Sequence, residues 1–191
     1  MSMYANLTDG LSNRCNNIFD KYYDCLKKDG FEVTFLLMLA TTGFTIPHEK
    51  LDNLEKKGDS RDIKKFRKEV FDKLEKEKII FAKVIKKESY RDFEEYQQSS
   101  EQREINEIGE FLKIIRNALA HGNIFFMGDE KDNIQEIAFV SENRKKSDKC
   151  SECNNTQAIL DKTHPYKYIH FKNIDDFKLF LELWFNFLKP E

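Results

Sequence analysis

Glycine and proline are scarce in this chain, 7 and 3 of 191 residues, roughly 5% where an average domain carries about 12%. That scarcity favours helix. Long apolar runs are missing too: the longest, residues 35–40, is too short to cross a bilayer. The first 11 residues lack a basic segment followed by an apolar one, so neither a secretory leader nor a membrane anchor is expected and a cytoplasmic location is. The 4 cysteines are too few for the dense framework of a secreted mini-protein, and no disulfide is required. With a formal net charge of -2, no bulk positive field draws the molecule to nucleic acid.

What is present argues for a folded core. The hydrophobic share of 40% includes 17 Phe, enough to offset a charged fraction of 35% that would otherwise suggest disorder. The length suits one domain, expected over 1–191. Charge is unevenly placed: residues 55–91 hold 14 Lys or Arg against 8 Asp or Glu. That stretch reads either as a solvated helix face laced with i,i+4 pairs or as a binding surface.

Apolar spacings of three and four predict a helix over residues 7–28, through Leu11, Cys15, Ile18, Phe19, Tyr22, Tyr23 and Leu26. Gly30 stops it. Residues 32–44 are apolar almost all round, as in a central buried helix, and Pro47 closes that segment. Asp59 or Ser60 can cap a third helix through Ile63, Phe66, Val70, Phe71 and Leu74. A loose apolar cluster over 79–85 and a polar stretch over 88–102, read partly as loop, separate it from the strongest helical signal, residues 103–121. After Gly122 the period becomes strand-like over 124–127, 134–140 and 166–171, interrupted by a charged excursion over 141–155. A last helix begins at Asn173 or Asp175 and runs through Trp184, whose helical spacing marks it as core rather than as a base-stacking platform.

The helix over 103–121 carries the chemistry. With Ile108 at zero and about 100° per residue, Leu112, Ile115 and Leu119 fall within about 40° of it, while Glu110, Asn117 and His121 gather near 180–220°. Arg116 sits on the flank near 80°. Ile114 and Ala118 border the polar face, which implies a second packing partner there. A histidine beside a fixed cation suits phosphodiester chemistry, whereas the bland alternative makes Arg116 and His121 C-terminal cations answering the helix dipole.

Arg116-Asn117-Ala118-Leu119-Ala120-His121-Gly122 resembles the R-N-x3-H signature of the HEPN superfamily. The apolar helix over 35–47, running into Thr-Ile-Pro-His-Glu, and the order of helix, motif, hairpin and final helix are similar to a branch of bacterial HEPN nucleases, over roughly residues 7–188. The resemblance implies a mainly α fold, an antiparallel helical bundle with a small antiparallel β-hairpin appendage at about 124–172 before the C-terminal helix. It also implies a homodimer in which two motif helices build one RNA-cleaving site, without cofactor or metal, in stress response, phage defence or a toxin system with a cognate antitoxin or other regulator. By the same resemblance Arg116 would stabilise the phosphorane, His121 would move protons and Asn117 would position a phosphate oxygen or the histidine. Glu110 is a possible accessory residue orienting a partner group, or a solvent-exposed glutamate. Toxin members carry a tyrosine two residues after the histidine; Asn123 stands there, so regulation through that tyrosine is not implied. The alternatives are a non-catalytic HEPN module binding RNA, a nucleotide or a protein through the 56–91 surface, and an assembly protein whose polar face sets dimer geometry.

Cys150, Cys153, His164 and His170 form C-x2-C-x10-H-x5-H, which approximates a tetrahedral zinc spacing. Pro165 and the strand-like setting of His170 remove the helix that normally presents both histidines, so a charged loop with two free thiols competes with that reading. Cys15 and Cys25 read as small core residues.

Overall fold

A computed structural model describes residues 7–45, 63–74, 79–84, 92–104, 108–128, 133–142 and 166–188. Helix α1, Leu7–Lys28, buries Cys15, Asn16, Phe19 and Tyr23, one face at helical spacing. It ends in a Schellman motif: Gly30 adopts φ 76°, Phe31 N–H donates to the Leu26 carbonyl at 2.8 Å, and Gly30 N–H to that of Lys27 at 3.2 Å. The stripe is narrower than the sequence suggested. Ile18 and Tyr22 are exposed, and so is Cys25, which is not a core residue.

Helix α2, Glu32–Ala40, continues into a π turn, Thr41–Thr45. Thr41 and Thr42 hydroxyls donate to the carbonyls of Leu37 and Met38, at 2.8 and 2.7 Å, beside the Thr41 backbone N–H that also points to both. Helix α3, Ile63–Lys73, contributes Val70 to the core, joined by Leu74 just beyond it. The proposed caps Asp59 and Ser60 and the closing Pro47 lie outside the described residues.

The remaining elements correct the expected fold class. The chain is not a helical bundle with a small hairpin but an α+β fold around a five-stranded antiparallel sheet in the order β2-β1-β5-β4-β3. Its strands are β1 Ile79–Val84, β2 Ser100–Gln102, β3 Ile124–Gly128, β4 Ile134–Glu142 and β5 Tyr166–Phe171. Strands β3 to β5 fall on the segments read as strand-like. Strand β1 falls on the segment read only as a loose apolar cluster, a short run whose period does not separate strand from helix; Phe81 joins the large core, while Ala82 and Val84 join a smaller one. Strand β2 is a polar three-residue edge, too short to show a period.

Period-two alternation divides the sheet's two faces. Phe81, Ile137, Phe139, Ile169 and Phe171 belong to the large core, together with residues of α1, α2, α3 and two further helices, α5 (Ile108–His121) and α6 (Ile174–Phe187). Ala82, Val84, Ala138, Val140 and Tyr168 belong to the second core, under the short helix α4, Phe93–Gln98, through Phe93 and Tyr96. The segment read as polar loop therefore supplies a helix, capped where the Asp92 side chain accepts from Glu95 N–H at 3.0 Å.

The large core is aromatic. Phe111 of α5 meets Phe171 and Phe180 edge to face, and Phe177 packs on Phe139 and Phe171. Each fully buried Phe contributes about 1.5–3 kcal/mol relative to exposure. Asn173 caps α6 by accepting from Asp175 N–H, one of the two caps anticipated. Trp184 is buried as core, its indole N–H donating to the Gly43 carbonyl at 3.0 Å and so tying α6 to the π turn.

Candidate functional site on helix α5

Helix α5 is held at its C-terminal end by backbone geometry. Gly122 adopts φ 70°, and Asn123 N–H donates to the Ala118 carbonyl at 3.0 Å, the 6→1 bond of a Schellman motif. Val140 N–H then donates to the Asn123 carbonyl at 3.0 Å, so the end of α5 is fixed to strand β4. The motif residues stand on a rigid support.

Along α5, Ile108, Phe111, Leu112, Ile114, Ile115, Ala118 and Leu119 are buried, an arc of about 160° by helical geometry. It is wider than the sequence stripe because Ile114 and Ala118 are covered within the chain, α5 packing against β4. The second packing partner expected at that face is supplied by the chain's own fold.

Glu110 and Asn117 lie on one border of this arc. Asn117 is half-buried, and its side-chain amide donates to the Ser141 hydroxyl on β4 at 3.0 Å. Glu110 is paired with the Lys167 ammonium on β5. Ser141 and Lys167 are themselves cross-strand partners, so the two contacts are set by one register. Glu110 is thus an intrachain ion-pair partner rather than a free solvent-exposed glutamate. Between helix and sheet lies an open cleft of about 270 Å³ lined by Gly109, Glu110, Lys113, Ile114, Asn117, Ser141 and Lys167.

Arg116 is half-buried on the opposite border, about 100° around the helix from Asn117 and about 140° from His121. His121 is exposed in the last turn. Within one copy, then, the helix presents Asn117 and His121 on one side and Arg116 on the other.

Lys113, Ser141 and Lys167 were not recognised from sequence. Lys113 had a signal, since it stands three residues after Glu110 and four before Asn117 on a helix. Ser141 and Lys167 had none, because their approach depends on strand register.

Most of the zinc reading, Cys150, Cys153 and His164, falls outside the described residues, and His170 is buried on the α4 face of the sheet. Its Nε2 is 2.6 Å from the Glu136 carboxylate, and the Gln97 amide is 3.5 Å from Nδ1. Burial lowers the His170 pKa, against the pull of Glu136 and with that of Lys172. Among the described residues no group of three or more His, Cys, Asp or Glu could hold a metal ion, and no helix is long and apolar enough to cross a membrane.

The antiparallel sheet and its covering helices thus present R-N-x3-H at the end of a sheet-anchored helix. A family model described as HEPN pEK499 p136 matches residues 1–189. The chain belongs to that HEPN family. No curated protein and no solved structure matches it significantly.

Proposed function

We propose that the chain is a metal-independent endoribonuclease acting as a homodimer. The reading is supported above all by the exposure of His121 at a rigidly anchored helix end, one turn from Asn117, in a chain of a HEPN family. In the proposed reaction the 2′-hydroxyl of RNA attacks the adjacent phosphorus, the bond to the 5′-oxygen breaks, and a 2′,3′-cyclic phosphate and a 5′-hydroxyl result. His121 removes the hydroxyl proton or protonates the leaving oxygen. Arg116 offsets the extra negative charge of the phosphorane, and Asn117 holds a phosphate oxygen. Arg116 and His121 face different sides of one helix, so a second copy brings the missing member to each site. Stress response, phage defence or a toxin system, with an antitoxin or other regulator, is the setting this chemistry would serve.

The separation of Arg116 from His121 within one copy also favours a second reading, a non-catalytic module that binds RNA, a nucleotide or a protein. Cleavage of a mixed set of labelled RNAs in EDTA distinguishes the two. Wild type should leave cyclic or 3′-phosphate ends, and His121→Ala should lose at least a hundredfold in rate, the lower end of general acid–base contributions. Equal cleavage by both proteins removes His121 from the chemistry; no cleavage by either favours the binding module.

A further inference from the structure

We propose that the cleft between α5 and the β4–β5 pair is a binding site for an RNA phosphodiester flanking the one that is cut, and that Glu110 occupies its lysine when RNA is absent. This rests on the ribonuclease reading above.

The lining contains two ammonium groups, Lys113 and Lys167, against one carboxylate, Glu110. It is therefore cationic in a molecule whose net charge is -2. Asn117 spends one amide hydrogen on Ser141, leaving a second donor and a carbonyl oxygen at the cleft wall. Gly109 adds no side chain, and a Cβ built there would meet nothing within 4 Å, so the mouth is open. The volume of about 270 Å³ leaves room for one phosphate with its ribose rather than for a duplex.

Placement ties the cleft to the proposed chemistry. Asn117 belongs to both, and Lys113 stands eight residues before His121, about 12 Å along the helix axis. One or two nucleotides span that distance. A strand whose scissile phosphate lies at His121 can thus lay a neighbouring phosphate between Lys113 and Lys167.

Glu110 and Lys167 are both partly exposed, their side chains retaining 34% and 22% of their accessible surface. A pair so placed is weakly held. A phosphate brings several acceptor oxygens to the same ammonium, forming charge-assisted hydrogen bonds, and can displace the single carboxylate. Glu110 then acts as a competitor anion that keeps Lys167 placed while discriminating against weakly bound anions.

The test uses the full chain carrying His121→Ala, so that RNA stays intact, and a fluorescein-labelled single-stranded RNA read by anisotropy across a NaCl series. Added singly to that background, Lys113→Gln and Lys167→Gln should weaken binding and flatten the slope of log affinity against log salt by about 0.7 each, one lost single-strand phosphate contact. Glu110→Gln should tighten binding, a direction that misfolding does not produce. Unchanged affinity and slope in all three, while wild type still cleaves RNA in EDTA, would overturn the cleft assignment and leave the nuclease; the cleft would then serve another anion, such as an acidic protein segment. Weaker binding with Glu110→Gln would also overturn it. An RNA that neither binds the parent nor is cut by wild type removes the ribonuclease reading and this inference with it.

Discussion

Gly43 sits where three elements converge, and its missing side chain is what lets them do so. A Cβ there would lie 2.6 Å from the Phe185 ring and 2.8 Å from Cys15 Sγ, closer than packed atoms tolerate. Phe185 is held in the core and cannot retreat cheaply. Gly43→Ala should therefore destabilise the protein by about 1–3 kcal/mol, the usual range for overpacking. Urea unfolding followed by fluorescence of Trp184, the sole tryptophan and a hydrogen-bond partner of Gly43, reads that loss directly. An unchanged midpoint would mean that the π turn relaxes freely. His170 makes a second residue-level prediction. A neutral ring donating from Nε2 to Glu136 and accepting from Gln97 at Nδ1 satisfies both nitrogens. Its charged neighbours are Glu136 on β4 and Lys172 beyond β5, with Ile80 opposite on β1 and Gln97 above on α4. The folded pKa is lowered by burial, so between that value and the unfolded value near 6.5 the unfolded chain binds more protons. Stability from this group is complete above about pH 6.5 and is lost as pH falls. The urea midpoint should drop between pH 7.5 and 5.5, and by less in His170→Gln; equal drops would show that other groups carry the dependence.

At the scale of elements, the termination of α5 decides where the motif points. Gly122 is left-handed, and the Asn123 contacts that follow bind the helix end to β4. Gly122→Ala should lose about 1–2 kcal/mol from the strain of a left-handed alanine. Amide hydrogen exchange should localise the loosening to the last turn of α5 and the start of β3; uniform loosening would instead indicate a global effect. The same helix shows why legibility varied. Its Gly stop, apolar stripe and polar face are local and were readable, and so were α1, α2 and α6. The strand-like segments of β3, β4 and β5 were equally plain. Strand β1 was hidden because a short apolar run has no period that separates strand from helix, and α4 because six residues are too few to establish a helical period. Missing β1 and the short polar edge strand β2 turned a five-stranded sheet into a hairpin. Half of the cleft was hidden for another reason: Glu110 and Asn117 could be placed on one helix face, but their partners Lys167 and Ser141 come from strands far along the chain and reach them only through strand register. The wrong expectation for Cys25 has a similar cause, since helical spacing does not say which flank of α1 meets another element.

For the whole molecule, the decisive question is whether one site draws on two copies. By helical geometry Arg116 and His121 are about 140° apart on α5, and α5 packs along β4 in its own chain, which leaves the exposed side bearing Ala120 and His121 for a neighbour. In a two-fold dimer the same patch meets itself, so Arg116 of one copy can serve His121 of the other. This makes a prediction that a single-copy site does not. Arg116→Ala and His121→Ala should each be inactive alone. Mixed in equal amounts and allowed to exchange, half of the dimers carry one intact Arg116 opposite one intact His121, restoring about a quarter of wild-type cleavage by the statistics of two-fold pairing. Sedimentation equilibrium and subunit exchange between differently tagged copies must accompany the assay. Restored cleavage requires the two residues to act across the interface. A mixture that exchanges subunits yet stays inactive places both residues in one copy's site or removes them from catalysis, and a monomer at assay concentration eliminates the shared site altogether.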